Sequence, residues 1–183
     1  KSIEEVLISG VRAKDKSPIT FTNISKAQIA PRNLGQDIPI LLNYLPSVVT
    51  STDAGAGVGY TSMRVRGSDG SRINVTLNGV PFNDSESQGT FFVNLPDFAS
   101  SLESIQLQRG VGTSTSGAGA FGASLNLQTK ASQPNGYAEL ANSAGSFGTR
   151  KHTLAFGTGL HNNFEMNARI SKIESGGYID RAS

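Results

Sequence analysis

The sequence predicts an α+β fold, a small mixed β-sheet with a few short helices followed by an antiparallel meander. Three observations carry this expectation. Between Arg64 and Lys130, Ile73, Val75 and Leu77 alternate with Asn74, Thr76 and Asn78, Ile105 and Leu107 with Gln106 and Gln108, and Leu125 and Leu127 with Asn126 and Gln128. Period-two alternation marks strands with one face on a core and the other against water or a polar wall. Ile38, Leu41, Leu42 and Leu45 recur at i, i+3, i+4 and i+7, the spacing of one amphipathic helix. After about Gly136 a third pattern sets Phe164, Met166, Ala168 and Ile170 against Glu165, Asn167, Arg169 and Ser171.

Taken in order, the chain opens with an acidic and then apolar leader, residues 1–12, holding Glu4, Glu5, Val6, Leu7, Ile8 and Ser9. A mixed domain spans residues 13–130. Within it a turn of helix is expected at 25–29, before Pro31. The helix from Ile38 has Asp37 as its N-cap, Pro39 in its first turn and Pro46 as its stop. Another short helical turn is expected at 96–102. Residues 131–135 form a linker around Ser132, Gln133 and Pro134, and residues 136–183 hold three strands, near 137–143, 152–158 and 164–171. Periodicity alone leaves these open between a soluble meander and the start of a transmembrane barrel, whose strands need only about 9–11 residues.

Composition narrows the function classes. The net charge of +2 comes from scattered lysines and arginines, which argues against a nucleic-acid binder. The absence of cysteine excludes disulfides, thiolate metal sites and thiol nucleophiles. No apolar run approaches the ~18 residues of a membrane-spanning helix. Gly117, Gly119 and Gly122 match a dinucleotide-binding glycine pattern, but a strand follows them where a helix is required. His161 and Glu165 have metal-like spacing only on a helix; in a strand they are ~13 Å apart. The expectation is a chain that is not an enzyme, with no catalytic residue and no cofactor.

Several motifs, in order, resemble the plug domain of TonB-dependent outer-membrane transporters. Residues 63–67 (Met63, Arg64, Val65, Arg66, Gly67) resemble that family's Arg-Gly motif, and residues 77–81 (Leu77, Asn78, Gly79, Val80, Pro81) its Asp-Gly-Val-Pro turn. Residues 104–110, ending in Arg109 and Gly110, are similar to its Glu-Val-x-Arg-Gly strand. The glycine-rich stretch 118–122, followed by 125–129, is similar to its closing turn and last plug strand. Leu45, Pro46, Ser47 and Val48 stand where the family has Leu-Pro-Gly-Val. The chain departs from the pattern at Ser47, at Asn78 and at Gln106.

The resemblance implies a plug inside a 22-stranded barrel in the outer membrane of a Gram-negative cell, facing the periplasm from within the lumen. Twenty-two strands of about 10 residues need about 220, so residues 136–183 would supply only the first few. It also implies an importer of a scarce nutrient: siderophore-bound iron, cobalamin or an oligosaccharide. The leader resembles a TonB box, an extended segment that adds a strand to the periplasmic domain of TonB. Arg66 and Arg109 match the plug arginines that pair with barrel glutamates, a latch. The amide faces would then lie against a hydrated lumen. Ligand-facing loops are expected around Asp53, Gly57 and Tyr60, and around Phe82, Asn83, Asp84, Glu86 and Phe91. Of these Asp84 and Glu86 make a weak candidate pair for a hard cation, and no resident metal is expected. The alternative is a non-transporting β-rich extracellular binding or adhesin module.

Overall fold

A computed structural model describes residues 10–15, 17–112, 116–117 and 119–179. Ten strands appear in chain order: β1 (Thr20–Ser25), β2 (Val48–Thr52), β3 (Thr61–Val65), β4 (Ile73–Leu77), β5 (Val80–Pro81), β6 (Leu102–Arg109), β7 (Ala123–Thr129), β8 (Tyr137–Ala144), β9 (Arg150–Gly157) and β10 (Asn167–Glu174). They form a five-stranded sheet of order β1-β6-β7-β4-β5, a hairpin of β2 and β3, and a three-stranded sheet of order β10-β9-β8. β4 and β7 run parallel while the other neighbours are antiparallel, so the main sheet is mixed. No helix among the described residues is long and apolar enough to cross a membrane.

One face of the main sheet makes the core. Ile73, Val75, Ile105, Leu107, Leu125 and Leu127 are buried there with Ile38, Leu42 and Val65. The expected helices are shorter than their patterns. Lys26–Ile29 is one turn, begun where the Ser25 N–H donates to Gln28 Oε1 at 2.9 Å. Ile38–Leu41 is another single turn, and Phe98–Ser101 is a 3-10 turn. Leu45 nevertheless joins the core, delivered by turns after the helix rather than by the helix itself.

The amide-rich face departs from expectation. Gln106 and Gln108 are 2% and 1% exposed, because the chain's own segment around Val11 and Ala13 lies across them. Gln106 accepts from the Ala13 N–H at 2.7 Å and donates to the Ala13 carbonyl at 3.0 Å, and Gln108 donates to the Val11 carbonyl at 2.9 Å. A side-chain amide carries the same donor and acceptor as a backbone unit, so this row grips an extended segment as a neighbouring strand would. Central positions of the sheet thus face protein on both sides, not a wet wall.

The three-stranded sheet is polarised in the opposite sense. Leu140, Leu154 and Ile170 are in register across β8, β9 and β10 and point outward, exposed. Lys151, Thr153, Arg169 and Ser171 point inward, toward the rest of the chain. β10 begins at Asn167, later than its pattern suggested, because Asn162 and Asn163 take positive φ and turn the chain, with His161 bridged to Phe164.

Candidate functional site

β3 and β6 each end in an arginine followed by a glycine, and the fold brings these two ends together. Arg66 takes a left-handed conformation, φ 51°, and donates its N–H to the Ser47 carbonyl at 2.9 Å. Its side chain reaches Gly110, where Nη1 lies 3.1 Å from the position a Cβ would occupy, so the glycine leaves room for the guanidinium. Arg109 is 6% exposed and donates from Nε to the Pro46 carbonyl at 3.0 Å and from Nη2 to Thr22 Oγ1 at 2.8 Å. Burial, and secondarily the charge of Arg66, lower its pKa from the usual arginine value. Among the described residues neither arginine pairs with a carboxylate.

The residues that differ from the family pattern keep the backbone the pattern needs. Ser47 has φ 66°, the left-handed region where a glycine is at ease. Asn78 and Gly79 both have positive φ, the two-residue hairpin turn typical of Asn-Gly. The Asn78 side chain does not cap its own turn; it donates to Thr129 Oγ1 at 2.8 Å and accepts from the Thr129 N–H at 2.9 Å, tying β4 to the end of β7.

The two expected loops are held in different ways. Asp37, read from sequence as a helix cap, turns its side chain away from the helix to the loop between β2 and β3. Its Oδ2 accepts from the Gly59 N–H at 3.1 Å and from Thr61 Oγ1 at 2.8 Å. Burial raises the Asp37 pKa, and the bonds from Thr61 and Gly59 oppose that rise. Asp53 and Tyr60 close the loop, Gly57 accepts the Asp37 N–H at 2.8 Å, and the Tyr60 ring is exposed. In the second loop Phe82 packs against the core and Asn83 bonds to the backbone of Ile73, Val75 and Gln88. The Asp84 carboxylate is taken by its own loop, accepting from Glu86 and Ser87, and these bonds, Ser87 foremost, lower its pKa. Glu86 and Phe91 are exposed. Residues 4–9 lie outside the described residues.

A charged cluster was not foreseen. Asp97, in the turn before β6, is 2% exposed and has φ 49°. Its Oδ1 meets Lys151 Nζ of β9 at 2.6 Å, and its Oδ2 meets Arg169 Nη1 of β10 at 2.6 Å and the Ser171 hydroxyl. Lys151 also donates to Ser100 Oγ at 2.7 Å, and Arg169 Nε donates to Ser101 Oγ at 3.0 Å. Removing one member of such a buried cluster costs about 3–5 kcal/mol, because charge is left uncompensated. The available signal was faint: Arg169 and Ser171 on the polar side of a strand require a polar neighbour, and nothing in the sequence named Asp97.

Comparison with known proteins places this arrangement. The profile described as the TonB-dependent Receptor Plug Domain matches residues 13–124. The chain belongs to this family. The vitamin B12 transporter BtuB of Vibrio cholerae is 23% identical over 177 residues, covering 96% of this chain and 28% of that protein. The fold is similar to the siderophore receptor PiuA of Acinetobacter baumannii, with TM-score 0.67 and 19% identity over 91% of this chain and 22% of that one. It is also similar to a ferric enterobactin receptor of Pseudomonas aeruginosa in complex with enterobactin, with TM-score 0.62 and 20% identity over 87% of this chain and 25% of that one. The chain spans about a quarter of the length of these relatives. Residues 13–124 are accordingly the plug domain, and β8–β10 lie beside it.

Proposed function

We propose that this chain carries the gate of an outer-membrane active importer of a scarce nutrient such as siderophore-bound iron, cobalamin or an oligosaccharide. The observation that carries the reading is the polarity of β8–β10. An apolar row, Leu140, Leu154 and Ile170, faces outward, while Lys151, Arg169 and Ser171 face a plug. That is the inverse of a water-soluble sheet and suits a barrel wall between lipid and a filled lumen. Residues 4–9 would engage TonB as an added strand, and force applied there would reach the plug through Val11 and Ala13, which lie on the amide row. Arg66 and Arg109, a cation pair without a described acid, would close on carboxylates of the wall. The loops bearing Asp53, Gly57 and Tyr60, and Glu86 and Phe91, would meet the cargo.

The test uses the receptor containing this chain, expressed in cells lacking their own copy. Growth or uptake is measured with ferric siderophores, cyanocobalamin and maltodextrins as separate probes, with and without TonB. TonB-dependent uptake of one class is expected. Adhesion without uptake of any probe would replace the importer by the binding-module reading. Separately, a peptide of residues 1–12 is expected to bind the TonB C-terminal domain, and failure to bind would remove the leader from the mechanism.

A further inference from the structure

The loop between β2 and β3 has little of its own to hold it. Ala54, Gly55, Ala56 and Gly57 carry no side chain beyond a methyl group, and the bond from the Asp53 N–H to the Tyr60 carbonyl at 3.2 Å closes only the base. Gly55 and Gly57 are buried all the same, because two outside supports cover them. The first is Asp37, whose N–H donates to the Gly57 carbonyl at 2.8 Å and whose carboxylate takes the Gly59 N–H. The second is the turn after β10, residues 175–179. A Cβ on Gly177 would stand 3.0 Å from the Ala54 carbonyl oxygen and 3.1 Å from the Ala56 nitrogen, and one on Gly55 would stand 2.8 Å from Cγ1 of Ile179. Among the described residues no hydrogen bond joins the loop to this turn, so the seat is made by shape. The turn is itself fixed to the β8–β9 loop: the Gly176 N–H donates to the Phe147 carbonyl at 3.0 Å, the hydroxyls of Thr149 and Ser175 are 2.7 Å apart, and the rings of Phe147 and Tyr178 have centroids 6.4 Å apart. Together they form a rim at one end of β8–β10. The linker is tied to the other end, where the Leu160 N–H donates to the Gln133 carbonyl at 2.8 Å.

We propose that the turn 175–179 is the positioning element of the cargo loop: Gly177 and Ile179 set where the loop 53–60 stands, and so where its exposed Tyr60 ring meets cargo. Gly55 and Gly177 are both left-handed, with φ 66° and 63°, so each position needs glycine twice, for its backbone and for the space beside it. Gly148 separates this role from ordinary backbone strain. It lies in the same rim with φ 68°, yet nothing stands within 4 Å of its Cβ position. An alanine there strains the backbone without touching the seat, whereas an alanine at Gly177 does both. Gly177 and Ile179 are positioning residues, acting on cargo through the loop. The proposal rests on the reading of this chain as a gate whose loop meets cargo. That reading fails by itself in the uptake assay, whereas the seat is read from the loop with no cargo present.

The experiment uses the whole receptor in lipid vesicles and follows, without cargo, deuterium uptake by the peptide carrying residues 53–60. Gly177→Ala is expected to speed this exchange about tenfold, since the added methyl group must push the loop off its seat. Gly148→Ala is expected to leave it at the unmodified rate. Ile179→Ala, which removes the side chain lying over Gly55 without straining the backbone, is expected to speed exchange severalfold, and it decides the matter if Gly177→Ala does not assemble. Uptake is then measured in cells lacking their own copy, with whichever of a ferric siderophore, cyanocobalamin or a maltodextrin the unmodified receptor carries. For Gly177→Ala the half-saturating concentration is expected to rise about tenfold with the maximal rate kept, because the loop must be returned to its place before cargo is held. Equal exchange in Gly177→Ala and Gly148→Ala, no change from Ile179→Ala, or a loosened loop with an unchanged half-saturating concentration overturns the proposal. No uptake of any probe by the unmodified receptor would instead overturn the gate reading, and the exchange comparison would still decide whether the rim sets the loop.

Discussion

β6 carries a charged site at each end, and the two are opposites. Before its first residue stands Asp97, an acid that meets two cations, Lys151 of β9 and Arg169 of β10. At its last residue stands Arg109, which donates to a carbonyl and a hydroxyl, with Arg66 beside it, and neither cation meets an acid among the described residues. No hydrogen bond or ion pair links either arginine to β8–β10 among the described residues. The difference is between charges paired across the fold and charges that meet only neutral oxygens among the described residues.

The strongest way to break this comparison is at the paired end. Asp97→Asn should destabilise the turn and the start of β6 by about 3–5 kcal/mol, since Lys151 and Arg169 lose their counter-charge in a buried place. Hydrogen exchange at Leu102 and Ile105 would report it as protection lost by about two to four orders of magnitude; a loss below tenfold would mean the cluster is wetter than its burial indicates. Arg109→Met is next, at about 1–3 kcal/mol, because the Pro46 carbonyl and the Thr22 hydroxyl are left without their donor. Arg109→Lys should recover only part of that loss, since a lysine cannot span two separate acceptors with a fixed fork. A urea series on each receptor variant checks both.

The sequence made the strands legible because their alternation is physical: each apolar set, such as Ile73 with Val75 or Leu125 with Leu127, had to meet a core. The Arg-Gly pairs were legible as motifs of the resemblance, and the structure adds that Gly110 leaves room for Arg66. What could not be read is what covers a polar face. Gln106 and Gln108 were expected against a wet wall, yet the segment around Val11 and Ala13 covers them, and alternation says nothing about contacts 90 residues away in sequence. Asp37 was misread as a cap, and Asp97 went unread, for a related reason. An aspartate before a helical pattern reads as a cap, but its short side chain can equally bond a distant loop or an ion pair, and only the tertiary packing decides.

A smaller effect is expected at Ser47, whose left-handed backbone offers its carbonyl to the Arg66 N–H. Ser47→Gly should stabilise the plug by about 1 kcal/mol by relieving that conformation, offset in part by the greater freedom of glycine in the unfolded chain. Thermal unfolding of the receptor variant checks the direction. A loss of stability would show that the serine side chain contributes more than its backbone strain removes.

The smallest and sharpest change is at Arg66. Its side chain is exposed, has no acid among the described residues, and lies close enough to Arg109 for like charges to repel. Judged on this chain's own residues, Arg66→Gln should be neutral or favourable by a few tenths of a kcal/mol. A wall carboxylate reaching the pair would reverse that sign, and the loss would shrink as salt screens the attraction. The urea stability of the whole receptor, measured for Arg66→Gln at low and high salt, therefore decides which kind of site this end of β6 is. A salt-sensitive loss makes the arginine pair the unfilled counterpart of Asp97, whereas a gain leaves it a cation pair satisfied by neutral oxygens.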